Sequence, residues 1–212
     1  MNSKPLEKQF QPLLTVVGLD CPQQLISEAG DELHEKASKD DYKCFGYFPG
    51  MQAKAATLDF DLPKSKVFAD KVSTITFDDK KFLFSFLRMS LIQQKGISPY
   101  HVDSDASAAL TGDIAKISDT YIWRFLINLS DTHHRTLSYL DIDPQTVELQ
   151  NKSGYVHYAG EIPEELIRFV NIPPRNGSKV SGVVFCASRV LHAGRDDEYG
   201  HFVAGYGCEI TK

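Results

Sequence analysis

The sequence predicts a mainly β protein, an α+β chain whose core is a double-sheet jelly roll or related barrel with flanking helices. Three observations carry that prediction. From Lys81 onward, six runs rich in aromatic and β-branched residues follow one another, bounded by Gly, Pro, Asn and Asp. Amphipathic helices do not alternate with these runs, which disfavours a doubly wound parallel sheet. No segment repeats at a fixed period of a few tens of residues, which disfavours a solenoid or propeller. The chain has 212 residues, 42% of them hydrophobic and 24% charged. That is enough to bury a core without structural staples, so a single domain over 1–212 is expected, with 1–80 as a helix and strand flank and 81–212 as the jelly-roll core.

Taken in order, residues 1–9 are a polar lead-in and "LLTVVGL" (13–19) is a first short strand. A helix follows, with Asp20 as its cap and Pro22 in its first turn. Leu25, Ile26, Ala29 and Leu33 recur at helical spacing on one face, while Glu28, Asp31, Glu32 and Glu35 point away and His34 lies at the boundary. Gly30 weakens this helix. Between 40 and 79 the pattern is mixed, with turn signals at "FPG" and "LPKSK" around short apolar runs. The β runs then come in series: "FLFSFLRMSLI" (82–92), "YIWRFLINL" (121–129), "RTLSYLDI" (135–142), "GYVHYAG" (154–160), "KVSGVVFCA" (179–187) and "HFVAGYGCEI" (201–210). "SDTHHRT" is expected to be a hairpin loop carrying His133 and His134, and "PEELIRFV" (163–170) a short helical interruption.

Charge and composition exclude several classes. The net charge is −5, and no basic block or aromatic-rich basic stripe is present, which argues against nucleic acid or an anionic membrane as partner. No segment reaches the ~18 uninterrupted apolar residues of a membrane span, and the first twenty residues lack the apolar core of a secretory leader, so a cytoplasmic protein is expected. Cys21, Cys44, Cys186 and Cys208 form no C-x-x-C pair and read as buried free thiols rather than zinc or redox ligands. Small molecules or proteins remain as partners, and oligomeric state is not legible.

The candidate site begins in "SPYHVDSDAS". His101 and Asp103 stand two apart, and residues i and i+2 of a strand leave the same face, so an imidazole and a carboxylate there can converge on one ion. With seven histidines and many aspartates in the chain, one His-x-Asp also arises by chance, and a capped turn with an exposed imidazole is the plain alternative. The third ligand comes from "RVLHAG", where His192 follows two apolar residues that exclude water and hold the ring. Its plain alternative is a core-edge histidine bonded to backbone. Two imidazoles and one carboxylate leave three adjacent coordination positions open, an arrangement that suits non-haem Fe(II). Asp105, two beyond Asp103, could be mistaken for the carboxylate ligand, and "RDDEYG" lacks the ladder of oxygen ligands a calcium loop needs.

These residues resemble the Fe(II)- and 2-oxoglutarate-dependent oxygenases, whose pattern is H-x-D, a long interval, a distal His and, further on, a basic residue. His101-Val102-Asp103 and His192 match the ligand pattern; "YIWRFLINLSD" resembles the strand after H-x-D, and "GSKVSGVVFCASRVLHAG" resembles the lead-in to the distal His. The resemblance covers 82–210. It implies a double-stranded β-helix core, Fe(II) held by His101, Asp103 and His192, 2-oxoglutarate and O₂ as cosubstrates, and a small molecule as substrate. Retention of Asp103 implies hydroxylation rather than halogenation. Where many relatives place an Arg or Lys for the distal carboxylate of 2-oxoglutarate, this chain has His201. Arg124 and Arg88, each inside an apolar run, are the other candidates, because a buried cation needs an anionic partner; a structural ion pair is the alternative for Arg124. Tyr100, Tyr121 and Asn128 are candidate pocket hydrogen-bond donors, Arg195 lies in an expected exposed loop, and His157 either lines a cavity or is an ordinary sheet histidine. Two rival readings remain: a cupin-like metal enzyme that does not use 2-oxoglutarate, and a non-catalytic binding module.

Overall fold

Alternation along the strands sorts the chain into two antiparallel sheets. The computed structural model describes residues 14–39, 52–58, 63–77, 80–95, 99–103, 122–152, 155–194 and 199–210; the side chains of 33–34, 36–39, 52–58, 85–95, 199–210 and a few others lie outside that description. The first sheet runs β1 (Leu14–Asp20), β11 (Lys179–Cys186), β6 (Trp123–Asn128), β13 (Tyr199–Ile210), β4 (Lys80–Lys95) and β2 (Gln52–Leu58), with β3 (Thr74–Phe77) also paired to β4. The second runs β10 (Ile167–Ile172), β7 (Arg135–Leu140), β12 (His192–Gly194), β5 (His101–Val102), β9 (Tyr155–Tyr158) and β8 (Leu149–Lys152). All six expected β runs are strands, and β1, β2 and β3 from the N-terminal flank extend the first sheet.

The layers follow from side-chain parity. On β6, Trp123, Phe125 and Ile127 pack with Ile26 and Ala29 of α1 (Gln23–Lys39) and with Phe68, Ala69 and Val72 of α2 (Pro63–Val72). Leu126, one residue out of phase, packs instead with Val183 and Phe185 of its own sheet and with Leu137 and Ile172 of the second sheet. A third cluster, Tyr100, Val102, Leu140, Val156, Leu191 and Ala193, covers the far face of the second sheet. Each large side chain removed from water in this way contributes about 1.5–3 kcal/mol before entropy is counted. Gly182 on β11 is required by close approach: a Cβ there would lie 2.4 Å from the Phe125 ring and 2.7 Å from the Leu126 carbonyl oxygen.

Four local expectations are corrected. Asp20 does not cap α1; it ends β1 opposite Lys179, and the helix starts after Pro22, whose carbonyl accepts from the Ile26 amide at 3.3 Å. The "LPKSK" turn is the start of α2, because Pro63 takes the first helical position, where its missing N–H costs nothing. In 163–170 only Glu164–Leu166 forms a single 3₁₀ turn; the alternating, β-branched "IRFVNI" then pairs with β7 as an edge strand. The 129–134 loop is no hairpin, since it carries the chain from β6 in one sheet to β7 in the other. Asn128 secures that crossing by donating to the carbonyls of His133, Ile172 and Pro173 and accepting from the Ser130 amide. The chain also changes sheets between β4 and β5, between β5 and β6, and at each step from β10 to β13. Among the described residues no helix is long and apolar enough to cross a membrane.

Candidate metal centre

Two short, paired strands of the second sheet, β5 and β12, bring the ligands together. β12 pairs with β5 so that His192 lies directly opposite His101, and β5 pairs with β9 so that His101 lies opposite His157. Residues directly opposite in an antiparallel pair share a face, so the three imidazoles form a row. Asp103, two residues past His101, is held by its amide, which donates to the Ala187 carbonyl at 2.9 Å in the turn after β11.

Both ligand imidazoles are fixed in the same way. His101 Nδ1 lies 2.9 Å from the Pro99 carbonyl, and His192 Nδ1 lies 2.9 Å from the Val190 carbonyl. A carbonyl only accepts, so each Nδ1 carries the proton and each Nε2 presents a lone pair. Those lone pairs face Asp103 Oδ1, at 3.6 Å from His101 and 3.8 Å from His192. The Nε2 of His192 is buried and has no hydrogen-bond partner. The edge of Phe185 packs on the His192 ring, centroids 4.9 Å apart, and fixes its plane.

Burial keeps both rings neutral. It pushes His192 down to about 3, with His101 adding to the fall and Asp103 opposing it. The same desolvation lowers His101, against the upward pull of Asp103. Two neutral nitrogen lone pairs aimed at a carboxylate oxygen repel one another unless a cation sits among them. His101, Asp103 and His192 offer one ligand atom each, all within 4.8 Å of one another, and this group could hold a metal ion. A mixed imidazole and carboxylate set suits a divalent transition metal such as iron, manganese or zinc.

The remaining expected site residues divide. Arg124 reaches the centre, where its Nη1 donates to Asp103 Oδ2 at 3.1 Å; the ion pair is its shown role. Asn128 lies at the far end of β6 with its amide nitrogen committed to three backbone carbonyls, a different role from a pocket donor. Tyr100 points to the other face of the second sheet, its hydroxyl bonded to Ser138 Oγ within the third cluster. The backbones of Arg88 and His201 are placed on β4 and β13, opposite Ala204 and Leu91 respectively, but their side chains lie outside the described residues. Tyr121, Asp105 and Arg195 also lie outside them. His133 and His134 are exposed. His157 is buried, its ring centroid 6.1 Å from that of His101. Sequence reasoning did not find Phe185, or the carbonyls of Pro99 and Val190 that set the tautomers. A carbonyl carries no residue signature, and Phe185 meets His192 only through sheet packing.

No protein-family model matches this chain, and no curated protein aligns with it as a relative.

Proposed function

We propose that the protein is a non-haem Fe(II)- and 2-oxoglutarate-dependent oxygenase that hydroxylates a small-molecule substrate, and that its two sheets are the double-stranded β-helix core of that family. The observation that carries this reading is the convergence of His101, Asp103 and His192, with both Nε2 lone pairs turned toward one carboxylate oxygen. The repeated passage of the chain between two face-packed antiparallel sheets is in keeping with that core. When bound, Fe(II) with 2-oxoglutarate and O₂ supplies the oxidising power, 2-oxoglutarate leaving as succinate and CO₂. The chain supplies the rest. His101 and His192 give neutral nitrogen ligands at physiological pH, and Asp103 gives a charged oxygen. Phe185, packed on the His192 ring, keeps water from that imidazole. With Asp103 and Arg124 of opposite sign, a bound divalent ion leaves the pocket with net positive charge, which favours an anionic chelating cosubstrate. Arg88 and His201 are the candidates for its distal carboxylate.

The test is anaerobic addition of Fe(II) and 2-oxoglutarate, which should give a weak visible charge-transfer band that His101→Ala abolishes. Retention of the band in that variant removes the basis of the assignment. One observation favours a second reading. Arg124 bonds Asp103, so the strongest expected anchor for 2-oxoglutarate is engaged at the metal ligand instead. A cupin-like metal enzyme acting without 2-oxoglutarate would have that arrangement, and it would form no succinate and gain no thermal stability from N-oxalylglycine.

A further inference from the structure

An arginine within "WRFLIN" is an expensive residue to place between two sheets, and what it touches is the carboxylate of the candidate metal centre. The two oxygens of that carboxylate face different partners. Oδ1 lies 3.6 and 3.8 Å from the two Nε2 atoms, while Oδ2 accepts the Arg124 Nη1 hydrogen bond at 3.1 Å. The pair is largely out of water, with Asp103 side-chain exposure at 10% and Arg124 at 23%. Arginine–carboxylate hydrogen bonds of this kind are directional. The backbone of Asp103 is also fixed, by the Ala187 carbonyl, so the carboxylate cannot translate to compensate for a rotation.

We infer that Arg124 is a positioning residue that holds Asp103 as a one-oxygen ligand and thereby reserves a coordination position at the metal. The inference rests on the metal-centre reading above. The count explains why it matters. A carboxylate binding through both oxygens takes two positions, and with two imidazoles leaves two of six; bound through one oxygen it leaves three. A cosubstrate that chelates through two atoms and a molecule of O₂ together need three. A carboxylate beside a divalent ion can bind through one oxygen or close onto it with both. Arg124 withholds Oδ2 from that closure, and its strand, pinned between β11 and β13, gives the guanidinium a fixed origin. Arginine suits this role because its flat fork donates along a fixed direction, which a flexible ammonium reproduces only in part.

The experiment counts exchangeable waters on Mn(II) bound to the intact protein, by ¹⁷O-water line broadening in electron paramagnetic resonance, with Mn(II) affinity measured by calorimetry alongside. Wild type is expected to carry three waters. Arg124→Met is expected to carry two, with Mn(II) bound no more weakly, and Arg124→Lys to return toward three. A residue that merely supported the fold would weaken binding and leave the count unchanged. Two waters in wild type, or three in Arg124→Met, would overturn the inference while leaving the metal centre standing. Failure of wild type to bind one equivalent of Mn(II) would overturn both. If Arg124→Met does not fold, Arg124→Gln is counted in its place, and three waters in that variant overturn the inference.

Discussion

Lowering the pH should destabilise the metal-free protein through His192 by an amount that follows from its burial. The folded-state value for His192 is depressed to about 3, whereas an imidazole in the unfolded chain titrates near its usual ~6.5. Below that value the unfolded state binds a proton that the folded state refuses. The stability is therefore fully present above pH ~6.5 and lost as pH falls toward the folded value. At pH 5 the unfolded imidazole is charged by a margin of about 1.5 pH units, which corresponds to a loss of about 2 kcal/mol, and the folded value hardly enters because it lies far below. The lowered His101 adds a loss of the same sign. Urea unfolding of chelator-treated protein at pH 7.5 and pH 5.0, beside His192→Gln, isolates the contribution. The substitution shifts stability by an offset at both pH values, so the informative quantity is the difference between the two drops. Wild type should lose about 2 kcal/mol more than the variant over this interval. Equal drops would mean that His192 is hydrated and protonates freely, and the account of the buried lone pair would be wrong.

Three other outcomes are expected. Gly182→Ala should cost about 1–3 kcal/mol, read as a lower midpoint in thermal unfolding, because the added carbon meets the Phe125 ring and a backbone carbonyl. Asn128→Ala should cost about 1–3 kcal/mol by stripping a donor from three carbonyls at the sheet crossing, while leaving Mn(II) affinity within about twofold, since none of those contacts reaches the centre. Mn(II) at about a hundred times its dissociation constant should stabilise wild type by about 2.7 kcal/mol in urea unfolding, and Asp103→Ala should lose that gain.

Strand runs were legible because they are long, aromatic and β-branched; "KVSGVVFC" and "WRFLIN" could hardly be anything else. The errors arose where one local signal serves two structures. Proline marks a turn and also opens a helix, so "LPKSK" carries a turn signal where α2 begins, and "PEELIRFV" holds enough helix formers to hide the strand that β7 recruits. In the site, residue types and spacing exposed His101, Asp103 and His192, since ligand chemistry is a side-chain property. The partner of Arg124 was not legible. The sequence shows that a buried cation needs an anion, but which anion depends on β5 and β6 meeting across the two sheets, a contact between residues twenty-one apart on different layers.

The residues that aim the ligands are the apolar ones between them. Val102 separates His101 from Asp103, and Leu191 and Ala193 flank His192; all three are buried on the far face of the second sheet. Because side chains alternate with a period of two, seating Val102, Leu191 and Ala193 on that face forces their neighbours onto the other. A one-residue slip would put the imidazoles into the apolar cluster and the aliphatic side chains into the centre, losing burial and hydrogen bonds together. The metal is therefore not needed to choose the register. This also explains how β5 and β12, with two and three residues, can hold a centre at all. Their own ladders are too short to fix a register, and the apolar seat behind them supplies what hydrogen bonds alone do not. The three candidate ligands are thus aimed by the apolar seat behind them, at the cost of a neutral, desolvated pair of imidazoles that the rest of the core must stabilise.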